Sequence, residues 1–166
     1  EIPLPVIEHV ARMAKQLGAT VILNPAPAPK QQLPPELLAH VDILIPNQTE
    51  AELISGTAVN DYESAAAAAG KIGEMGVRTV LITMGAHGVF VYDSESGNSE
   101  IIVAERVEAI DTTAAGDCFC GALAVALNEG KPLNEALGFA NRAAAISVTR
   151  RGAQPSLPYL HEMTNR

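Results

Sequence analysis

The 166-residue sequence has little of three things: cysteine, basic residues and long apolar runs. Its two cysteines, Cys118 and Cys120, lie two residues apart and cannot form a disulfide framework, which favours a reducing, cytoplasmic location. Lys and Arg number 11 against 19 Asp and Glu, so the net charge is −8 and a nucleic-acid partner is not expected. No apolar run approaches the roughly 20 residues of a membrane-spanning helix, so no membrane partner is expected either.

The length and composition predict one globular domain. Domains average about 150 residues, and globular chains have ordinary shares of apolar and charged residues. Here hydrophobic residues make up 48% of the chain and charged residues 18%. The first residues, from Glu1 to Pro5, lack a Met, a basic region and an apolar stretch, so they do not resemble a signal peptide. We therefore expect Glu1 to be a mature or cut terminus.

Predicted strands alternate with predicted helices along the chain. Short β-branched runs bounded by Gly or Pro predict buried strands at 20–23, 41–45, 79–83 and 89–92, the last two forming a hairpin. Apolar residues at helical spacing predict helices over 6–17, 48–55, 62–75, 115–128 and 132–149. This alternation favours an α/β fold with a mainly parallel, Rossmann-like sheet flanked by helices. Such sheets bind ligands at the carboxyl ends of their strands.

The segment Asp111-Thr112-Thr113-Ala114-Ala115-Gly116-Asp117 leads directly into the predicted helix 115–128. Its small residues allow close approach to a ligand, and the first N–H groups of a helix form an anion site that suits a phosphoryl group. Asp117 lies in the first turn, where the helix dipole favours its ionised form. Its carboxylate can accept a proton from a hydroxyl that attacks a bound phosphate. The competing interpretation is that Asp111 or Thr113 simply caps the helix.

Two shorter motifs also have two interpretations each, and taken alone each favours the structural one. Asn47-x-x-Glu50 has the form of a capping box at the start of a predicted helix, and it also offers oxygen ligands. Thr83-x-Gly85-x-x-Gly88 contains glycines that permit positive φ and close approach to a ligand, but an ordinary hairpin turn has the same composition.

Taken together, the motifs carry a family resemblance. Residues 111–117 resemble the D-T-x-[GA]-A-G-D signature of the ribokinase-like (PfkB) sugar kinases. Four more segments resemble this family in the family's order: NPAP at 24–27, PNQTE at 46–50, TMGAHG at 83–88 and TRRGAQPS at 149–156. The resemblance covers essentially the whole chain. It implies a ribokinase-like fold, of which residues 1–166 are the carboxyl-terminal, nucleotide-binding part, without the small β-sheet lid that helps to grip the sugar.

The resemblance also implies ligands and the residues that bind them. ATP, Mg²⁺ and K⁺ would be the cofactors and a small sugar the substrate, with Asp117 as catalytic base in contact with the sugar and Glu1 as a further sugar contact. Nucleotide binding would involve Asn47, Glu50, Thr83, Met84, Gly85, Ala86, His87, Gly88, Ala115, Gly116 and Asn141. Oxygens of Asp111, Thr113, Ser147, Arg150, Gly152 and Ser156 would hold the monovalent cation.

The expected reaction is the ATP-dependent phosphorylation of a sugar hydroxyl. The first candidate for the sugar is D-ribose, which would be converted to D-ribose 5-phosphate. One alternative is a kinase of the same family that acts on deoxyribose, fructose or a nucleoside. Another is a nucleotide-binding fragment without catalysis, and we expect weak nucleotide binding and no useful turnover from this chain alone. An NAD-dependent enzyme is disfavoured because its glycine fingerprint is absent from the sequence. A full-length member of the family is expected to be a homodimer.

Overall fold

The structure is a computed structural model that describes residues 2–28 and 32–164. Its strands are β1 (Ile22–Leu23), β2 (Ile43–Leu44), β3 (Thr79–Thr83), β4 (Val89–Asp93) and β5 (Ser99–Ile102). Its α-helices are α1 (Leu4–Gln16), α2 (Pro35–Leu38), α3 (Gln48–Ser55), α4 (Tyr62–Glu74), α5 (Ala115–Asn128), α6 (Leu133–Ser147) and α7 (Leu160–Thr164). Among these described helices, none has the length and apolarity needed to cross a bilayer.

The five strands form one sheet in the order β1-β2-β3-β4-β5. The strands β1, β2 and β3 are parallel, with Ile22 opposite Ile43 and Ile43 opposite Thr79. The short connections from β3 to β4 and from β4 to β5 are too brief for a crossover, so these neighbours are antiparallel. The α/β fold with a mainly parallel sheet and an added hairpin is confirmed.

The contacts within the chain define two compact units. The first contains the residues up to Met84 together with Phe90–Ile101, and the second contains Gly85–Val89 together with the residues from Ile102 onward. The single domain expected over 1–166 therefore stays a prediction.

The core of the first unit depends on an alanine-rich helix. Ala65, Ala68 and Ala69 of α4 are fully buried, in one cluster with Val80 and Ile82 of β3. Alanine has almost no side chain to keep a helix away from its neighbour, so α4 approaches the sheet closely. This packing leaves β3 buried over its first four residues and brings its last residue, Thr83, to a half-buried position at the carboxyl end.

The predicted apolar face of the first helix is on the outside. Helix α1 forms, but Val6, Val10, Met13 and the following Leu17 are between 47% and 82% exposed. The residue of α1 that is buried is Ala11, and Leu4 and Ile7 pack partly against the core. A repeat at helical spacing therefore identified the helix correctly, although the residues of that repeat do not enter the core.

The second unit is dominated by α5 packed on α6. Phe119 and Leu123 of α5 are buried, as are Ala136, Ala140 and Ala143 of α6. The helices predicted over 115–128 and 132–149 form α5 and α6. A further helix that the sequence did not predict, α7, follows them and places Met163 against Cys118 and Ala143. The short helix α2 was also not predicted, since its four residues are too few to show a helical period.

Candidate active site

The turn that precedes α5 has an unusual backbone conformation. Ala114 is the N-cap residue and lies in the left-handed region at φ 60°, with no side chain capping the helix. The interpretation of Asp111 or Thr113 as a simple helix cap is therefore wrong. Because an L-residue in this conformation costs about 1–2 kcal/mol, the contacts around the turn must hold it there.

Two backbone N–H groups at the start of α5 have no acceptor among the described residues: those of Gly116 and Asp117. On one side of them, the N–H of Ala115 donates to the carbonyl of Thr112 at 3.2 Å, and on the other the N–H of Cys118 donates to the carbonyl of Ala114 at 2.9 Å. Gly116 and Asp117 are both exposed. Two donors at the positive end of a helix dipole thus face solvent, which is an arrangement that suits a phosphoryl oxygen.

The carboxylate of Asp117 lies in the same turn as these two donors. It is accessible from solvent rather than covered by packed side chains. An accessible carboxylate beside a site for a phosphoryl group has the position that a general base requires. The exposure of Asp117 is consistent with the predicted catalytic role, which itself stays a prediction.

Asp111 joins the turn to the segment that follows α6. Its Oδ1 accepts hydrogen bonds from the Thr113 hydroxyl at 2.6 Å and from the Thr113 N–H at 3.0 Å. Its Oδ2 accepts one from the N–H of Gly152 at 2.8 Å. The Thr113 hydroxyl, followed by the N–H groups of Gly152 and Thr113, lowers the pKa of Asp111 to about 2. Asp111 is therefore ionised throughout the physiological pH range, and its hydrogen bonds hold the turn before α5 and the segment after α6 together.

The residues predicted to hold a monovalent cation all offer oxygen atoms. Ser147 and Ser156 are fully buried, and their hydroxyls donate to the carbonyls of Ala144 at 2.8 Å and Ala153 at 2.7 Å, so each hydroxyl oxygen keeps lone pairs for a cation. The remaining oxygens are backbone carbonyls and the single carboxylate of Asp111. One negative charge among neutral oxygens fits a monovalent cation better than a divalent one. Residues 2–28 and 32–164 contain no group of three or more His, Cys, Asp or Glu side chains that could hold a metal ion.

In the first unit, the structure brings Asn47 and Thr83 together at the carboxyl ends of β2 and β3. These residues form an isolated parallel bridge, and the N–H of Thr83 donates to the carbonyl of Pro46 at 2.9 Å. The side chain of Met84, the next residue, is buried in the hydrophobic core of this unit. Met84 can therefore contribute only its backbone to a ligand.

The capping box predicted for Asn47 and Glu50 is confirmed. Asn47 Oδ1 accepts the N–H of Glu50 at 2.9 Å, and Glu50 Oε2 accepts the N–H of Asn47 at 2.8 Å. Burial raises the pKa of the Glu50 carboxyl, and its bonds to Asn47 oppose this shift. The box fixes the entry to α3, and the nucleotide role of both residues stays a prediction.

The part of the predicted nucleotide loop that belongs to the second unit consists of an exposed 3-10 turn, Gly85–His87, and the buried Gly88. Gly88 has φ +98°, and a Cβ added to it would lie 2.1 Å from the carbonyl oxygen of Ile102. That same carbonyl accepts a hydrogen bond from the buried Asn141 Nδ2 at 3.0 Å. Ile102 thus connects two of the predicted residues, Gly88 and Asn141.

Sequence reasoning missed Ile102, because a backbone carbonyl carries no residue-specific signal. Glu1, predicted to contact the sugar, lies outside the described residues. The structure brings Asp111, Thr113 and Gly152 together by hydrogen bonds, as it does Gly88 and Asn141 through Ile102.

The chain is similar to carbohydrate kinases over almost its whole length. The profile of the pfkB family carbohydrate kinases matches residues 1–160. The ribokinase of Haemophilus influenzae is 51% identical over 162 residues, which are 98% of this chain and 52% of that protein. The ribokinase of Staphylococcus aureus is 44% identical over 164 residues, 98% of this chain and 53% of that protein.

A solved structure shows the same fold. The chain superimposes on the Arabidopsis thaliana ribokinase complexed with ribose and ATP with a TM-score of 0.91 and 34% identity, covering 98% of this chain and 52% of that one. The chain thus spans about half the length of the relatives it matches. The chain belongs to the pfkB family of carbohydrate kinases.

Proposed function

We propose that this chain supplies the nucleotide-binding and catalytic part of an ATP-dependent sugar kinase that converts D-ribose to D-ribose 5-phosphate. Ribose is favoured as acceptor because the Haemophilus influenzae and Staphylococcus aureus relatives are ribokinases and the matched Arabidopsis thaliana ribokinase is complexed with ribose and ATP. The relatives are about twice as long as this chain, so the proposal concerns the reaction to which these residues contribute.

The observation that carries the proposal is that the N–H groups of Gly116 and Asp117, which find no acceptor in the described part of the chain, lie beside the exposed Asp117 carboxylate. The two N–H groups stabilise the charge on the phosphoryl group during transfer, because they are oriented by α5 before the reaction begins. The carboxylate accepts the proton of the attacking sugar hydroxyl. The residues of one helical turn thereby bind the group that is transferred and activate the group that receives it.

The remaining predicted residues bind cofactors. The oxygens of Asp111, Thr113, Ser147, Arg150, Gly152 and Ser156 would hold K⁺, and their binding to it would keep the backbone behind the turn in place. Asn47 and Glu50 would orient water around Mg²⁺, a cation that usually reaches such sites with the phosphates of the substrate. When bound, Mg²⁺ neutralises charge on those phosphates. For the nucleotide, Gly85–Gly88 and Asn141 are the contacts expected in the second unit.

The substitution Asp117→Asn tests the assignment of the base, with this sequence carried in a kinase of the relatives' full length. We expect kcat for ribose to fall by about 10²–10⁴, the usual contribution of a general base, while ATP affinity changes little. Glu135→Gln is the matched control, because Glu135 is an exposed acidic residue in the first turn of α6. Turnover of Asp117→Asn within a few-fold of the parent would contradict the assignment.

The half-length match favours a second candidate, a nucleotide-binding chain that lacks catalysis on its own. Calorimetry with ATP and Mg²⁺, followed by a phosphotransfer assay on the same sample, distinguishes binding from turnover. We expect weak binding and no useful ribose phosphorylation by the 166 residues alone. Robust turnover by this chain would contradict the second candidate, and a panel of ribose, deoxyribose, fructose and nucleosides would then define the acceptor.

A further inference from the structure

A two-point ion pair connects the last described helix to the segment after α6. The Arg150 guanidinium donates to both carboxylate oxygens of Glu162 in α7, from Nη2 at 2.5 Å and from Nη1 at 3.3 Å. The two side chains are 34% and 28% exposed, so the pair is partly shielded from water. A planar fork bound at two points fixes orientation as well as distance. The pair therefore restrains the direction in which the Arg150 side chain extends from the backbone.

Glu162 is itself held firmly. Its Oε2 also accepts the N–H of Tyr159 at 2.8 Å, which orders the start of α7. The next residue, Met163, is buried against Cys118 of α5 and Ala143 of α6. Glu162 is thus attached to the packed core of the second unit, and it can act as a fixed point for the more irregular segment that contains Arg150.

From Arg150, short hydrogen-bonded steps lead to the turn before α5. The N–H of Arg150 donates to the carbonyl of Ser147 at 3.1 Å, and two residues later Gly152 donates to Asp111. Asp111 in turn holds both the N–H and the hydroxyl of Thr113. The segment restrained by Glu162 is therefore the one that provides the predicted cation ligands and holds the phosphate-binding turn.

We propose that Glu162 is a positioning residue for the monovalent-cation site: by holding Arg150 it keeps the backbone oxygens of Arg150 and Gly152 at the places that a potassium ion requires. The proposal rests on the cation site of the proposed function. A potassium ion is weakly coordinating and cannot impose its own geometry on loose carbonyls, so a second set of contacts must do so. The ion pair itself need add little to folding stability, as is usual for partly exposed pairs.

The test is the potassium dependence of thermal unfolding for this chain. Midpoints are measured over a series of KCl concentrations, with choline chloride keeping the ionic strength constant. Glu162→Gln preserves the shape of the side chain and removes its charge. Glu105→Gln is the control, because Glu105 forms an ion pair of the same unit, with Arg142 at 4.0 Å, that does not involve residues 147–156.

We expect potassium to raise the midpoints of the parent and of Glu105→Gln with the same half-saturating concentration. Glu162→Gln should need about 10- to 100-fold more potassium, the usual effect of removing a partner of a metal ligand. Arg150→Gln should cause a shift of similar size, and the double variant should add little to either single one, because all three remove the same contact. Arg150→Gln also carries the test should Glu162→Gln fail to fold.

Two results would overturn the proposal in distinguishable ways. Glu162→Gln could lower the thermal unfolding midpoint equally in choline chloride and in KCl and keep the half-saturating potassium concentration of the parent. In that case Glu162 has a purely structural role, and the cation site itself is not contradicted. If the parent itself shows no potassium-specific rise, the cation site of the proposed function fails and this proposal fails with it. The assignment of Asp117 is tested separately by its own substitution.

Discussion

Replacing Gly88 with alanine should destabilise the chain strongly, because three features meet at this residue. An alanine Cβ at Gly88 would lie 2.1 Å from the carbonyl oxygen of Ile102 and 2.7 Å from the backbone nitrogen of Ala104. Both atoms belong to backbone, so neither can rotate away as a flexible side chain would. The carbonyl of Ile102 also holds Asn141, so any movement of this segment disturbs a second buried contact. Gly88 additionally has φ +98°, which side chains rarely tolerate.

The size of the effect follows from these contacts. The positive φ alone costs about 1–2 kcal/mol for an L-residue, and forcing extra atoms into a packed region costs about 1–3 kcal/mol more. We therefore expect a loss of about 3 kcal/mol in the free energy of unfolding. For a chain of this size such a loss lowers the thermal midpoint by about 6–12 °C.

Gly85→Ala is the matched control in the same loop. Gly85 also has a positive φ, +57°, but an added Cβ there meets nothing within 4 Å. This variant should lose only the conformational part, about 1–2 kcal/mol. Circular dichroism melts and urea titrations of both variants provide the comparison. Equal midpoints for Gly88→Ala and Gly85→Ala would refute the close approach of Gly88 to Ile102.

Two further predictions concern buried or bound carboxylates. Because the folded-state pKa of Glu50 is raised, its ionisation opposes folding, so its favourable contribution is complete only below the ordinary value of 4.5 and is lost as pH rises through the folded value. Glu50→Gln, whose amide oxygen can still accept the N–H of Asn47, should thus be at least as stable as the parent at pH 7. Urea unfolding at pH 7 and pH 4 should show that the difference in the free energy of unfolding between variant and parent becomes smaller in acid. A clear loss of stability in the variant at pH 7 would contradict this. The pKa of Asp111 is lowered instead, so the stability it contributes is present above 3.8 and is lost as pH falls through about 2. Asp111→Asn, which turns one carboxylate oxygen into a donor, should be less stable than the parent at pH 7. Thermal melts should show that this loss of stability becomes smaller between pH 4 and pH 2. A loss that does not depend on pH would contradict the lowered pKa of Asp111.

Local sequence signals predicted much of the fold because they act over a few residues. The Asn47–Glu50 capping box and Gly56, at φ 69°, begin and end α3 where the sequence predicts. Likewise, the β-branched run at 79–83 forms β3 within its predicted bounds. These features depend on hydrogen bonds and backbone preferences of neighbouring residues, so no distant contact was needed to predict them.

The direction in which a helix face points could not be predicted in the same way. The spacing of Val6, Val10 and Met13 indicates α1, yet Ala11 is the residue that becomes buried. The periodicity shows that apolar residues share a face, but whether that face packs depends on elements elsewhere in the chain. The same reason explains α7, whose Met163 is buried through contacts with α5 and α6.

For the candidate site, the sequence identified the residue types and missed the connections between them. The motif at 111–117 predicted a phosphate-binding turn, and within residues 2–28 and 32–164 the N–H groups of Gly116 and Asp117 have no acceptor. It also shows that Asp111 reaches Gly152, 41 residues away, a contact that no local pattern contains. The contact between Arg150 and Glu162 is not contained in a local pattern either, because it depends on where α7 packs.

The most direct test of the central claim is a titration of ¹⁵N-labelled chain with the magnesium complex of ATP, compared with AMP. If the turn at the start of α5 binds the terminal phosphate, the amide resonances of Gly116 and Asp117 should shift strongly with ATP and little with AMP. The amide of Cys118, which already donates to the carbonyl of Ala114, should move less than either. Binding of ATP that leaves the Gly116 and Asp117 amides unshifted would contradict the account.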